Sequence, residues 1–177
     1  NSDIKIGIPT DFSASYLQDI VLRFAAENSQ IPLNIVCDVS DKLHAGLEKD
    51  ELDIIVAICP TKHREYLVRA WLEEVVWVAR KDCRSKDPVI PLVAYHEGCE
   101  YRRRMIHALN SSERSWKIAY SGGEYSSLLK AIESGFGISA LSKWCVTEKM
   151  RILSVEDGFP QLEQLRIGLL YKHNRIT

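Results

Sequence analysis

The sequence predicts an α/β protein of two small βαβ-type lobes with mixed sheets, the chain crossing twice between them. Three observations carry this reading. Strand-like apolar runs alternate with helical periodicities along most of the chain. That alternation occurs twice at nearly the same spacing. A late apolar run, Leu165 to Tyr171, belongs to neither series and has to return to an earlier sheet.

The first series opens on Ile4-Lys5-Ile6-Gly7-Ile8, an alternating strand pattern, followed by the polar loop Pro9 to Ser15. Leu17, Ile20, Val21, Phe24 and Ala25 then recur at helical spacing until Pro32. Leu33 to Val39 reads as a strand, and Ser40 as the N-cap of a short helix carrying Leu43 and Leu47. Leu52 to Ile58 is apolar after its Asp53, as suits a strand covered on both faces. The second series runs from the strand Val89 to Tyr95 through a helix at Tyr101 to Leu109 and a strand at Trp116 to Tyr120. A helix bearing Leu128, Leu129, Ile132 and Phe136 leads to the strand Gly137 to Leu141.

The spacings agree. First to second strand is 29 residues in one half (Ile4 to Leu33) and 28 in the other (Val89 to Lys117). Second to third is 20 in both (Leu33 to Asp53, Lys117 to Gly137). The residues themselves do not match, so the architecture repeats and the sequence does not. Leu67 to Ala79 is long enough for one strand leaving the first lobe and another joining the second, and Ser142 to Met150 reads as a helix. The expected division is residues 1–70 with 145–177 as lobe I and 71–144 as lobe II. Such a chain makes a hinged clamp, with ligand loops at the carboxyl ends of its strands facing a cleft.

Composition narrows the function. With 46% hydrophobic residues, the 177-residue chain can bury enough apolar surface to offset chain entropy, which excludes disorder. The 23 Lys plus Arg are balanced by 24 Asp plus Glu, leaving no surplus of cations for phosphate contacts. No run approaches a membrane span. The five cysteines are odd in number and form no CxxC pair, which points to a reducing, cytoplasmic setting without structural zinc. No cofactor or metal site is expected. The start, Asn1-Ser2-Asp3, has neither an initiator Met nor a signal peptide, so the chain reads as a piece of a longer protein.

Four segments, taken in order, resemble one family. They are Ile4 to Asp11; Gly46-Leu47-Glu48-Lys49-Asp50-Glu51-Leu52-Asp53 running into Ile54-Ile55-Val56; the strand Leu72 to Ala79; and Glu133 to Ser142 with its Gly-x-Gly. Together they resemble the effector-binding domain of LysR-type transcriptional regulators, which shares the type II periplasmic-binding-protein-like fold. The stretch Pro91 to Cys99 with Tyr101-Arg102-Arg103 is similar to the branch that regulates motility and exoenzyme genes. The resemblance implies a small-molecule effector in the inter-lobe cleft, a homodimer or higher homo-oligomer, and no enzymatic activity. It also implies DNA contact only through an N-terminal winged helix-turn-helix absent from this chain.

Candidate effector contacts follow from the loops. Thr10, Asp11, Ser13 and Ser15 sit between the first strand and a helix, where free N–H groups favour an anion, although a serine there also serves as an ordinary cap. Asp11 would instead suit a cationic or hydroxylated ligand. Ser40 repeats the geometry on the second loop. His96, Glu97 and Cys99 follow the first strand of the second lobe, and Arg102 could pair with a carboxylate effector. Ser121 and Gly122 end the next strand and can offer backbone N–H groups, though turn formation explains them equally.

Three other readings stand beside the effector domain. A nucleophilic Cys99 with His96 as its base lacks a third orienting group. A thiol redox sensor would use Cys83 with Cys99. A periplasmic solute-binding protein would require a signal peptide on the parent gene. Gly135 to Ala140 formally matches GxGxxA but runs from helix to strand, the reverse of a dinucleotide site. Leu17, Ile20, Val21 and Phe24 could form a dimer contact or simply cover the sheet.

Overall fold

The structure, a computed structural model, describes residues 3–10, 14–27, 30–60, 64–84 and 86–172; the side chains of residues 14–16 and 24 are outside that description. The chain divides into two compact units, residues 1–73 with 165–177 and residues 74–164, so it crosses between them twice.

Unit 1 contains β1 (Ile4–Pro9), α1 (Ala14–Glu27), β2 (Leu33–Asp38), α2 (Ser40–Glu48), β3 (Ile54–Ile58), β4 (Leu67–Glu73) and β10 (Leu165–Tyr171). Its sheet has the order β2-β1-β3-β10-β4. β1 is parallel to β2 and β3, and β10 runs antiparallel between β3 and β4. The sheet is therefore mixed, and the late strand does return to the first lobe. Leu43, Leu47, Leu52, Ile55, Ala57 and Leu170 form a core between α2 and the sheet. Gly7 makes that packing possible: a Cβ there would lie 2.6 Å from Leu43 Cδ2 and 2.9 Å from Leu52 Cδ1. On α1, Leu17 and Val21 are buried while Ile20 is 46% exposed, so the apolar stripe only partly covers the sheet.

Unit 2 contains β5 (Val75–Arg80), β6 (Val89–Tyr95), α3 (Glu100–Ser111), β7 (Ser115–Gly122), α4 (Tyr125–Glu133), β8 (Ser139–Ser142) and β9 (Met150–Leu153). β5 lies antiparallel between β8 and β9, and β6 pairs in parallel with β7. The two sheets meet at one parallel bridge, Leu92 with Ile138. There Ile138 N–H donates to Pro91 O (2.8 Å) and Val93 N–H to Ile138 O (2.9 Å). Gly137 permits this approach, because a Cβ would fall 2.6 Å from the Pro91 carbonyl oxygen.

Two expectations need correction. Residues 145–164 belong to unit 2 and not to the first lobe, and residues 71–73, expected in the second lobe, belong to unit 1. β9 pairs with β5, Trp77 Nε1–H donates to Pro160 O (2.7 Å), and the Trp77 ring lies 5.3 Å from that of Phe159. The expected helix over Ser142 to Met150 is a single 3-10 turn, Lys143–Cys145, followed by an extended Val146 and a turn at 148–149 that leads into β9. Ser142 is already used in β8, and the β-branched Val146 and Thr147 disfavour a helix. The Thr147 hydroxyl instead donates to Glu133 Oε2 (2.6 Å).

Candidate functional site

The expected contact residues fall into two groups, one in each unit, at the carboxyl ends of parallel strands. In unit 1, Thr10 follows β1 and its N–H donates to Asp38 O at the end of β2 (3.1 Å). Asp11 and Ser13 lie outside the described residues, and Ser15 is placed only as backbone within α1. Ser40 is the first residue of α2, and the N-cap is Val39, which makes no side-chain cap bond. The Ser40 Oγ accepts the Ile58 N–H (3.1 Å), and His44 Nε2 bonds the Ile58 carbonyl (2.8 Å). One turn of α2 thus satisfies both backbone groups of the last β3 residue. That use of Ser40 is structural, yet its hydroxyl hydrogen remains able to donate. His44 was not anticipated; its spacing of four from Ser40 on one helix face was the available signal.

In unit 2, register pairs Tyr95 with Gly122 and Ala94 with Ser121, which brings the loops after β6 and β7 together. His96 lies against the second loop: a Cβ on Gly123 would be 3.5 Å from its Cδ2 and 3.6 Å from its Nε2. Gly98, at φ +95°, closes the turn in a conformation that L side chains rarely adopt. Cys99 is buried at the N-cap position of α3, whereas Glu97 is exposed. The three arginines separate as consecutive helical residues must. Arg102 Nη1 donates to Tyr95 O (2.9 Å), spending one of its five donors on the end of β6. Arg103 and Arg104 both bind Glu100, and Arg104 also reaches the Glu163 and Gln164 carbonyls. Partial burial opposes ionisation of Glu100, but hydrogen bonds and charge from Arg103 and Arg104 hold its carboxyl below the ordinary glutamate range.

The model of one protein family, the LysR substrate binding domain, matches residues 1–177. The chain belongs to that family. It is 22% identical over 175 residues to the HTH-type transcriptional regulator DgdR of Burkholderia cepacia, covering 97% of this chain and 58% of DgdR. It is also 22% identical over 169 residues to the HTH-type transcriptional regulator PecT of Dickeya dadantii (strain 3937), covering 94% and 52%. The chain thus spans about half the length of the curated relatives it matches. The bromide ion-bound regulatory domain of HypT from Salmonella typhimurium superimposes with a TM-score of 0.81 at 16% identity, covering 98% of this chain and 87% of that one. This likeness establishes the shared fold.

For the alternative thiol pair, Cys83 lines a cavity with Ile90 and Pro91 at the start of β6, whereas Cys99 follows the end of that strand at Tyr95, and no disulfide joins them. None of the five cysteines is in a disulfide, and partial burial pushes the Cys37 thiol up. Among the described residues, no three His, Cys, Asp or Glu side chains converge as metal ligands. Among the same residues, no helix is long and apolar enough to cross a membrane.

Proposed function

We propose that this LysR substrate-binding domain senses a small molecule carrying an anionic group, a carboxylate above all, and performs no chemistry on it. The loops at the carboxyl ends of the parallel strands hold the effector, through Thr10, Ser40 and the Asp11-to-Ser15 segment in unit 1. In unit 2 the contacts are His96, Glu97, Cys99, Arg102, Ser121 and Gly122. The observation that carries this reading is the gathering of the described members of each group around strand ends, with donors to spare on Ser40 and Arg102. In the parent protein, a homodimer or higher homo-oligomer in the cytoplasm, an N-terminal DNA-binding domain receives the change. Control requires only that the effector bind one arrangement better than another.

The test is calorimetry and thermal shift on the chain with a panel of small carboxylates. At least one is expected to bind with one-to-one stoichiometry and to lose about tenfold in affinity on Arg102→Gln, as fits a charged hydrogen bond. A panel without any binder, or binding indifferent to both Arg102→Gln and Ser40→Ala, would sink the assignment.

A further inference from the structure

The chain passes between the units at two places, Glu73 to Glu74 and Gln164 to Leu165, and Leu165 pairs with Glu73 in the sheet of unit 1. On the unit 2 side a cation holds each passage. Lys143 holds the first: its N–H donates to Glu74 O (2.9 Å) and its Nζ lies 3.5 Å from Glu74 Oε2, with both side chains more than half exposed. Arg104 holds the second, and its grip is of another kind. Its Nη1 donates to Glu163 O (3.2 Å) and Gln164 O (3.1 Å), and its Nε to Glu100 Oε1 (2.9 Å). Only 14% of its side chain is exposed.

Arg104 belongs to α3, whose first turn is part of the strand-end group. Cys99 is the N-cap of that helix and Glu100 its first residue, while Arg102 ties it to Tyr95 O at the end of β6 (2.9 Å). Glu100 therefore stands in the first turn and binds the same guanidinium that holds the exit of the chain. Coupling between separated groups is carried by rigid elements and their polar contacts, and α3 has 12 residues joining the two ends. Burial strengthens such charged bonds, whereas water weakens the exposed Lys143 pair.

We propose that Arg104 is the positioning residue that couples the effector loop of unit 2 to the exit of the chain at Gln164. The proposal rests on the reading of Arg102 as an effector contact and adds its regulation. An anion engaging Arg102 draws on the first turn of α3, and Arg104 passes the shift to the segment that enters β10.

The test needs no effector, so a carboxylate panel without a binder would sink the effector assignment and leave the coupling to its own measurement. Amide hydrogen exchange over residues 160–166 is followed in the wild-type chain, Arg102→Gln, Arg104→Gln and the double variant. Arg104→Gln is expected to speed exchange there about tenfold, as fits the loss of charged hydrogen bonds. Arg102→Gln frees the first turn from Tyr95 and should speed it about threefold, adding nothing once Arg104 is replaced. A purely structural Arg104 would give increments that add. If exchange in Arg104→Gln rises throughout unit 2, Arg104→Lys takes its place, keeping the charge and losing the planar fork. No change at 160–166 in Arg102→Gln, or the same increment in both backgrounds, would overturn the proposal.

Discussion

The two units reach the same strand order by different means. In unit 1, the parallel strands β2, β1 and β3 continue through β10 into β4 as one sheet, and five register pairs join β3 to β10. In unit 2, β7 and β6 stand as β2 and β1 do, and the chain at Ile138 takes the place of β3 before β8 leads to β5 and β9. The parallel part there meets the antiparallel part at a single bridge. The difference lies in where small residues are demanded. Unit 1 needs Gly7 to seat side chains, whereas unit 2 needs Gly137 so that two backbones can touch. A flexible side chain can give way and a carbonyl oxygen cannot.

The strongest way to break the comparison is Trp77→Ala, which removes a buried ring and the N–H bond to Pro160 from the central strand of unit 2. A loss of about 4 kcal/mol is expected. Denaturant unfolding followed by amide hydrogen exchange should show protection collapsing across unit 2, including residues 159–162. Protection in β1 and β3 should persist. Next comes the glycine pair. Gly137→Ala is expected to cost about 3 kcal/mol, because the new methyl meets the Pro91 carbonyl, and Gly7→Ala about 1 kcal/mol, because Leu43 and Leu52 can rotate. Equal midpoint shifts for the two variants would erase the distinction between side-chain and backbone contact.

A smaller effect sharpens the account of unit 1. Ser40→Ala strands the Ile58 N–H and should destabilise by about 1 to 2 kcal/mol, with the Ile58 amide losing exchange protection first. The smallest is expected in unit 2 from Glu100→Gln, below about 1 kcal/mol at neutral pH because its pairs lie on a helix surface. Its pH dependence has a definite sign. The folded carboxyl is held below its ordinary value of 4.5, so its contribution is complete above that pH and fades as pH falls through the folded value. The variant should show a shallower acid limb in a plot of unfolding free energy against pH, and an unaltered limb would contradict the Arg103–Glu100–Arg104 account.

Much of this was legible in the sequence, where period and spacing carry the information. The split of Leu67 to Ala79 into β4 and β5, and the return of β10 to the first unit, followed from counting strands against lobes. What stayed hidden depended on contacts between distant segments. Residues 154–164 have little regular structure, and they are tied to unit 2 by long-range contacts such as the Trp77 indole on Pro160, Arg104 on the Glu163 and Gln164 carbonyls and Arg151 on Asp157. Ser40 looked like a cap because Ser suits that role, yet the N–H it satisfies belongs to Ile58, 18 residues away. The strand-end grouping of Thr10 with Ser40, and of His96 with Ser121 and Gly122, was readable because parallel strands force it.

The place of β10 in the unit 1 sheet has a consequence for how the chain is made. Residues 74–164 are contiguous and hold everything unit 2 needs, so this later half can be finished while the earlier one still waits. β3 and β4 have no shared partner until Leu165–Tyr171 leaves the ribosome, about 90 residues after Glu73 has been added. During that interval the free edge of β3, rich in isoleucine, is open to any passing strand. The half that begins first folds last, and a chain released before residue 165 would hold a complete second unit beside a first sheet lacking its linking strand.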